Sequence, residues 1–234
     1  MNLSVNILAV LFAVPAMLLT LYAQFRVQRT YSKYATVRNA LNVTGADVAR
    51  KLMSDHNLNI GVETIKGNLT DHYDPRKDIM RLSQGVAATP SVASLGIVAH
   101  ELGHAAQDQS GYPLLKLRAG IVPFVQVGST IGYIIFAAGL LLNMAGLTWI
   151  GVLLFSGGAL FALVTLPMEL DASKRAMKML ESSRLVSSEE TGQVRTVLNA
   201  AAMTYVAALA QAFSQLLYFV LMALGMGRTT RRRY

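Results

Sequence analysis

No cysteine occurs in the 234 residues of this chain. A disulfide framework and a thiolate metal site are both excluded, so any metal here must rest on histidine and carboxylate. Charge is scarce as well: Asp, Glu, Lys and Arg make up 15% of the residues, against 53% hydrophobic. A water-soluble domain carries about a quarter charged residues, so this balance indicates a membrane protein. Acids are outnumbered, 13 against 21 Lys and Arg, which leaves a formal net charge of +8. A basic excess raises nucleic acid as a partner. Here, however, the bases flank apolar runs instead of forming a patch between aromatic platforms, so no nucleic-acid partner is expected.

What the chain does have is long apolar runs. The first covers residues 1–23, with Leu3 to Ala23 long enough to cross roughly 30 Å of hydrocarbon as a helix. The opening "MNLSVN" carries no Lys or Arg, which reads as an anchor and not a cleaved signal. The second and third runs, within residues 119–166, are joined by a short uncharged link near "NMAGLT" and form a hairpin, the latter ending at Pro167. The fourth covers residues 198–226, with Gln211 and Gln215 on one face, turned inward to a bundle. A basic tail, 227–234, follows. Arg26, Arg29, Lys33, Arg38, Lys116, Arg118, Lys174, Arg175, Lys178 and Arg184 fall on one side of such a bundle, which the positive-inside tendency makes cytoplasmic. The tail opposes that assignment, because an even number of crossings would put it outside.

Residues 24–118 form the one sizeable polar stretch, and the pattern predicts a small α+β unit there. The first span is expected to continue as a helix to about Leu41. Thr44 with Asp47 resembles a capping box opening a helix to about Asp55. Residues 60–66 and 78–83 read as strands, with "DHYDPR" as the turn between them. Thr89 as cap and Pro90 at the first helical position predict a helix over about 90–108.

That helix carries "VAHELGHAAQ", residues 98–107. Residues four apart share a helix face, so His100 and His104 can offer imidazole nitrogens to one ion. Glu101 borders that face and suits a general base acting on water. Lone histidines on apolar helices are usually core residues. A pair one turn apart with the acid between them is a metal-site pattern, and burying the three without a partner would be costly. Gly103 leaves room for close packing against the helix. A catalytic zinc needs a third protein ligand. Glu169, expected to open a helix over 167–197, is the best candidate: two crossings separate it from His104, and an even number returns the chain to the same membrane face. Read alone, Glu169 and Asp171 would equally suit a helix N-terminus. Asp171 is expected to face elsewhere and to pair with Lys174 or Arg175. His72 is the rival third ligand, and His56, at a helix end, is expected to face solvent.

Several separate stretches, "LTDHYDPR", "LSQGV", "VAHELGHAAQ", "GYPLLKLR" and "PMELDASKRA", resemble the YugP-like family of bacterial membrane-embedded zinc metallopeptidases. The resemblance spans most of the chain and implies a neutral zinc peptidase with His100 and His104 as ligands and Glu101 as catalytic base. The layout is also similar to HtpX-type membrane proteases, whose Glu ligand opens an E-x-x-x-D motif. In "ELDAS" Glu169 matches that Glu, while Ser173 stands where those proteins have Asp.

The expected architecture is therefore a mainly α membrane protein. It has about four transmembrane helices and a small zincin-like α+β subdomain carrying the HExxH helix at the membrane surface. The expected activity is zinc-dependent peptide-bond hydrolysis on a peptide or protein substrate, in the bacterial cell membrane and on its cytoplasmic side. His72, Tyr73, Arg175 and Tyr205 are candidates for stabilising the oxyanion. The strand at 78–83 could receive an extended substrate along its edge. The alternative reading is a membrane scaffold or adaptor whose metal is structural or vestigial.

Overall fold

The computed structural model describes residues 3–231, with side chains described for residues 10–225. The chain divides into two compact units, one of residues 1–22, 117–166 and 205–234, the other of residues 23–116 and 167–204. Residues 232–234, the end of the predicted basic tail, lie outside the described residues, as do the side chains of the rest of that tail.

The first unit is built from long helices. α1 spans Leu3–Ala35, α5 Pro113–Leu141, α6 Ala145–Ser182 and α7 Ser188–Arg231. These four are long and apolar enough to cross a membrane. Only 11% to 28% of the residues in their most apolar windows are buried. Leu141, Phe124 and Leu153 are more than two-thirds exposed. In water such surface would be costly at about 25 cal/mol per Å²; in hydrocarbon it costs nothing. α5 and α6 meet through glycines. A Cβ on Gly139 would lie 2.5 Å from Thr148, and one on Gly151 2.5 Å from Phe136. Small residues let backbones approach where there is no hydrophobic drive between helices. Asn143, in the left-handed region at φ 55°, turns the chain between them. The Phe136 and Phe219 rings stack at 4.1 Å and join α5 to α7.

The second unit has a separate core. α2 (Gly45–Asp55) begins at the predicted capping box, with both reciprocal Thr44–Asp47 bonds present. A three-stranded sheet follows, in the order β1 (Gly61–Ile65), β3 (Ile79–Ser83), β2 (His72–Asp74). β3 is central, parallel to β1 and antiparallel to β2. α3 (Gln84–Ala88) and α4 (Val92–Gln109) complete the unit. Leu52, Met80, Leu82, Leu95, Val98 and Leu102 are fully buried together.

The structure corrects several expectations. "DHYDPR" is not wholly a turn: its middle, His72–Asp74, is β2, short enough for the following Pro75 to mask it, and the turn begins after Asp74. Because β1 and β2 occupy both edges of β3, the strand at 78–83 cannot receive a substrate along its edge. Thr89 ends α3 instead of opening α4. The cap of α4 is Ser91, whose hydroxyl accepts from the Ser94 amide at 3.1 Å, so Pro90 precedes the helix. The first helix stops at Ala35, short of Leu41. Pro167 ends nothing: α6 runs through it to Ser182, as membrane helices tolerate proline. The break falls at residues 183–187, where Arg184 takes φ 54°. α7 then starts from a second capping box, in which Ser187 Oγ accepts from the Glu190 amide and Glu190 accepts from the Ser187 amide. The helix expected over 167–197 is thus the end of α6 and the beginning of α7.

Candidate metal centre

Two helices of the second unit build the centre. α4 presents His100 and His104 one turn apart, their rings edge-on at 4.8 Å and 84°. α6 presents Glu169, 2% exposed. Its Oε2 lies 3.2 Å from His100 Nε2 and 3.3 Å from His104 Nε2. The three offer ligand atoms all within 4.8 Å of one another, and among the described residues they are the one such group of histidine and carboxylate. The close approach of the helices depends on Gly103, where a Cβ would sit 2.5 Å from the Ala172 carbonyl oxygen of α6. The room anticipated at Gly103 is filled by the backbone that carries Glu169.

The outer nitrogens of both rings are held. His100 Nδ1 lies 3.2 Å from the Ser173 hydroxyl, and His104 Nδ1 lies 3.0 Å from Gln107 Oε1. Each ring thereby turns Nε2 towards Glu169. Burial opposes a charge on His104, but Glu169 and Glu101 outweigh it and raise the imidazole pKa above its ordinary value. The pocket thus attracts positive charge. Two imidazoles and one carboxylate, largely buried and already oriented, fit zinc.

Glu101 is 9% exposed and close enough to His104 to raise its pKa, and its Oε2 accepts the Tyr73 amide of β2 at 2.8 Å. Tyr73 pairs with Met80 across the ladder. An amide bonded to Glu101 therefore faces away from β3, on the side of the sheet that meets α4.

The remaining candidates fall into place separately. His72, exposed, has Nδ1 2.8 Å from the Thr70 carbonyl oxygen and Nε2 3.4 Å from Arg81, and is not in the ligand group. The Tyr73 phenol meets Asp78 at 2.9 Å and Asp108 at 3.0 Å. Burial and these carboxylates push its pKa well up, so it stays protonated. Asp171 pairs with Arg175 at 2.6 Å, as expected, and also accepts from Gln107 at 2.9 Å. Arg175 further reaches the Ala106 carbonyl oxygen at 3.4 Å and stacks over Tyr112. Tyr205 is half-buried on α7, in the first unit. His56 is half-buried, with the Ser182 and Ser183 hydroxyls each at 3.5 Å. Sequence reasoning missed Gln107. Its amide gains a role only from its partners Met168 and Asp171 on α6.

Residues 9–224 match the sequence model of a family described as "Putative neutral zinc metallopeptidase". The chain belongs to this family. It is also 38% identical over 218 residues to the "Putative membrane protease YugP" of Bacillus subtilis (strain 168), covering 93% of this chain and 97% of that protein. No solved structure matches. The family resemblance read from the motifs is thus borne out, and so is the mainly helical architecture with four helices suited to a membrane.

Proposed function

We propose that this is an integral, multi-pass zinc endopeptidase of the bacterial cell membrane, with His100, His104 and Glu169 as ligands and Glu101 as general base. One observation carries the reading: two imidazole Nε2 atoms and a buried carboxylate converge on one point, with a second carboxylate beside them. The family and the bacterial relative support the chemistry and the membrane setting. The substrate class is a peptide or protein, some of it membrane-associated.

Zinc bound there would supply Lewis acidity, acidifying water and polarising a carbonyl. The chain's own residues do the rest. Ser173 and Gln107 hold the imidazoles. Glu101 takes a proton from the attacking water and delivers it to the leaving amine. Removing metal from purified protein with a chelator is expected to abolish cleavage of an unfolded reporter protein, and added zinc to restore it. Cleavage indifferent to both steps would sink the assignment.

The basic residues near the span ends support a centre on the cytoplasmic side. A cysteine-free chain makes this easy to test by Lys66→Cys, in the exposed turn after β1. An impermeant maleimide should label it only after cells are permeabilised. Labelling in intact cells would reverse the orientation.

A further inference from the structure

We propose that Gln107 is a positioning residue that decides which nitrogen of His104 faces the metal, and that Asp171, held by Arg175, decides the orientation of Gln107. The inference rests on the metal-centre reading and goes beyond it, because it assigns a task to residues that touch neither metal nor substrate.

Gln107 is fully buried, and both ends of its amide are used. One end lies 2.8 Å from the Met168 carbonyl oxygen and 2.9 Å from Asp171 Oδ2. Both of these groups can only accept. The nitrogen must therefore face α6, since a flipped amide would set oxygen against two oxygens. That choice turns Oε1 towards His104 Nδ1 at 3.0 Å. An amide oxygen can only accept, so Nδ1 must carry a proton. In a neutral imidazole the lone pair then sits on Nε2, the atom 3.3 Å from Glu169. The tautomer needed for coordination follows stepwise from a main-chain carbonyl and a carboxylate on the partner helix.

His100 is held differently. Its Nδ1 meets the Ser173 hydroxyl at 3.2 Å, and a hydroxyl both donates and accepts. Ser173 steadies the ring without dictating its tautomer. The two ligands are thus unequal, with His104 preset and His100 free to adjust. Arg175 explains why Asp171 is a dependable acceptor. Its Nε donates to Asp171 Oδ2 at 2.6 Å, and its planar group also lies over Tyr112. The chain of contacts Arg175, Asp171, Gln107, His104 ties the C-terminal half of α4 to α6 just beyond Glu169.

The test uses full-length protein in detergent, stripped of metal and titrated with zinc against a chromophoric chelator. The zinc form is also examined by nitrogen-15 NMR of labelled histidine. Wild type should show a slowly exchanging Nδ1–H on His104. Gln107→Leu should bind zinc about 10–100-fold more weakly and lose that signal. Asp171→Asn keeps an acceptor for Gln107 and should bind nearly as wild type does, whereas Asp171→Ala should weaken binding about tenfold. This second pair decides the matter if Gln107→Leu does not fold. Wild-type affinity with a persisting Nδ1–H in Gln107→Leu would overturn the proposal, as would equal affinity in the two Asp171 variants. His104→Ala separates the two levels: if it too binds zinc normally, the metal-centre reading itself has failed.

Discussion

Glu101→Gln is expected to lower the turnover of peptide cleavage by about 10²–10⁴-fold, with zinc content unchanged. Glutamine has the same shape, and its Oε1 can still accept the Tyr73 amide that glutamate accepts at 2.8 Å. The ligand set on the neighbouring turn is untouched. What glutamine cannot do is take a proton from water and return it to the leaving amine. The loss should therefore fall on turnover more than on the Michaelis constant. Steady-state kinetics beside metal analysis of the same preparation would read both quantities. A variant that cleaves normally would leave Glu101 as a structural anchor for β2 and favour a scaffold whose metal has no catalytic part.

Glu169→Ala should have the second large effect. It leaves both imidazoles on α4 and removes the one proposed ligand contributed by α6. Losing an outer partner of a ligand costs about 10–100-fold in metal affinity, and losing the ligand itself should cost more. The same loss is visible without activity. A ligand present at about a hundred times its dissociation constant stabilises a fold by about 2.7 kcal/mol. Wild type should accordingly melt at a higher temperature when zinc is added, and Glu169→Ala should show no such shift at the same concentration. An equal shift in both would move the third ligand elsewhere, with His72 the next position to test.

How far the sequence could be read depended on whether a feature was local. His100, Glu101 and His104 were legible because their spacing alone puts them on adjoining parts of one helix face. The approach of Glu169 to the histidines was legible through the hairpin, since two apolar runs were expected to return the chain to the face it left. Gln107 sits inside the same motif yet said nothing by itself: its amide acquires meaning only from Met168 and Asp171, more than sixty residues away. Ser173 looked like a departure from the related pattern, although a hydroxyl can still hold His100. The short strand β2 was lost because three residues before a proline carry no readable alternation. Pro167 was taken as a stop by the rule that holds in water, whereas the long apolar helix runs through it. Thr89 and Ser91 both suit a cap, and only the contact of Ser91 with Ser94 separates them.

The most direct measurement is anomalous scattering at the zinc edge from crystals of the zinc-loaded protein. A single strong peak is expected between α4 and α6, about 2.0–2.2 Å from His100 Nε2, His104 Nε2 and a Glu169 carboxylate oxygen. A peak bound by other side chains, with these three left uncoordinated, would contradict the account.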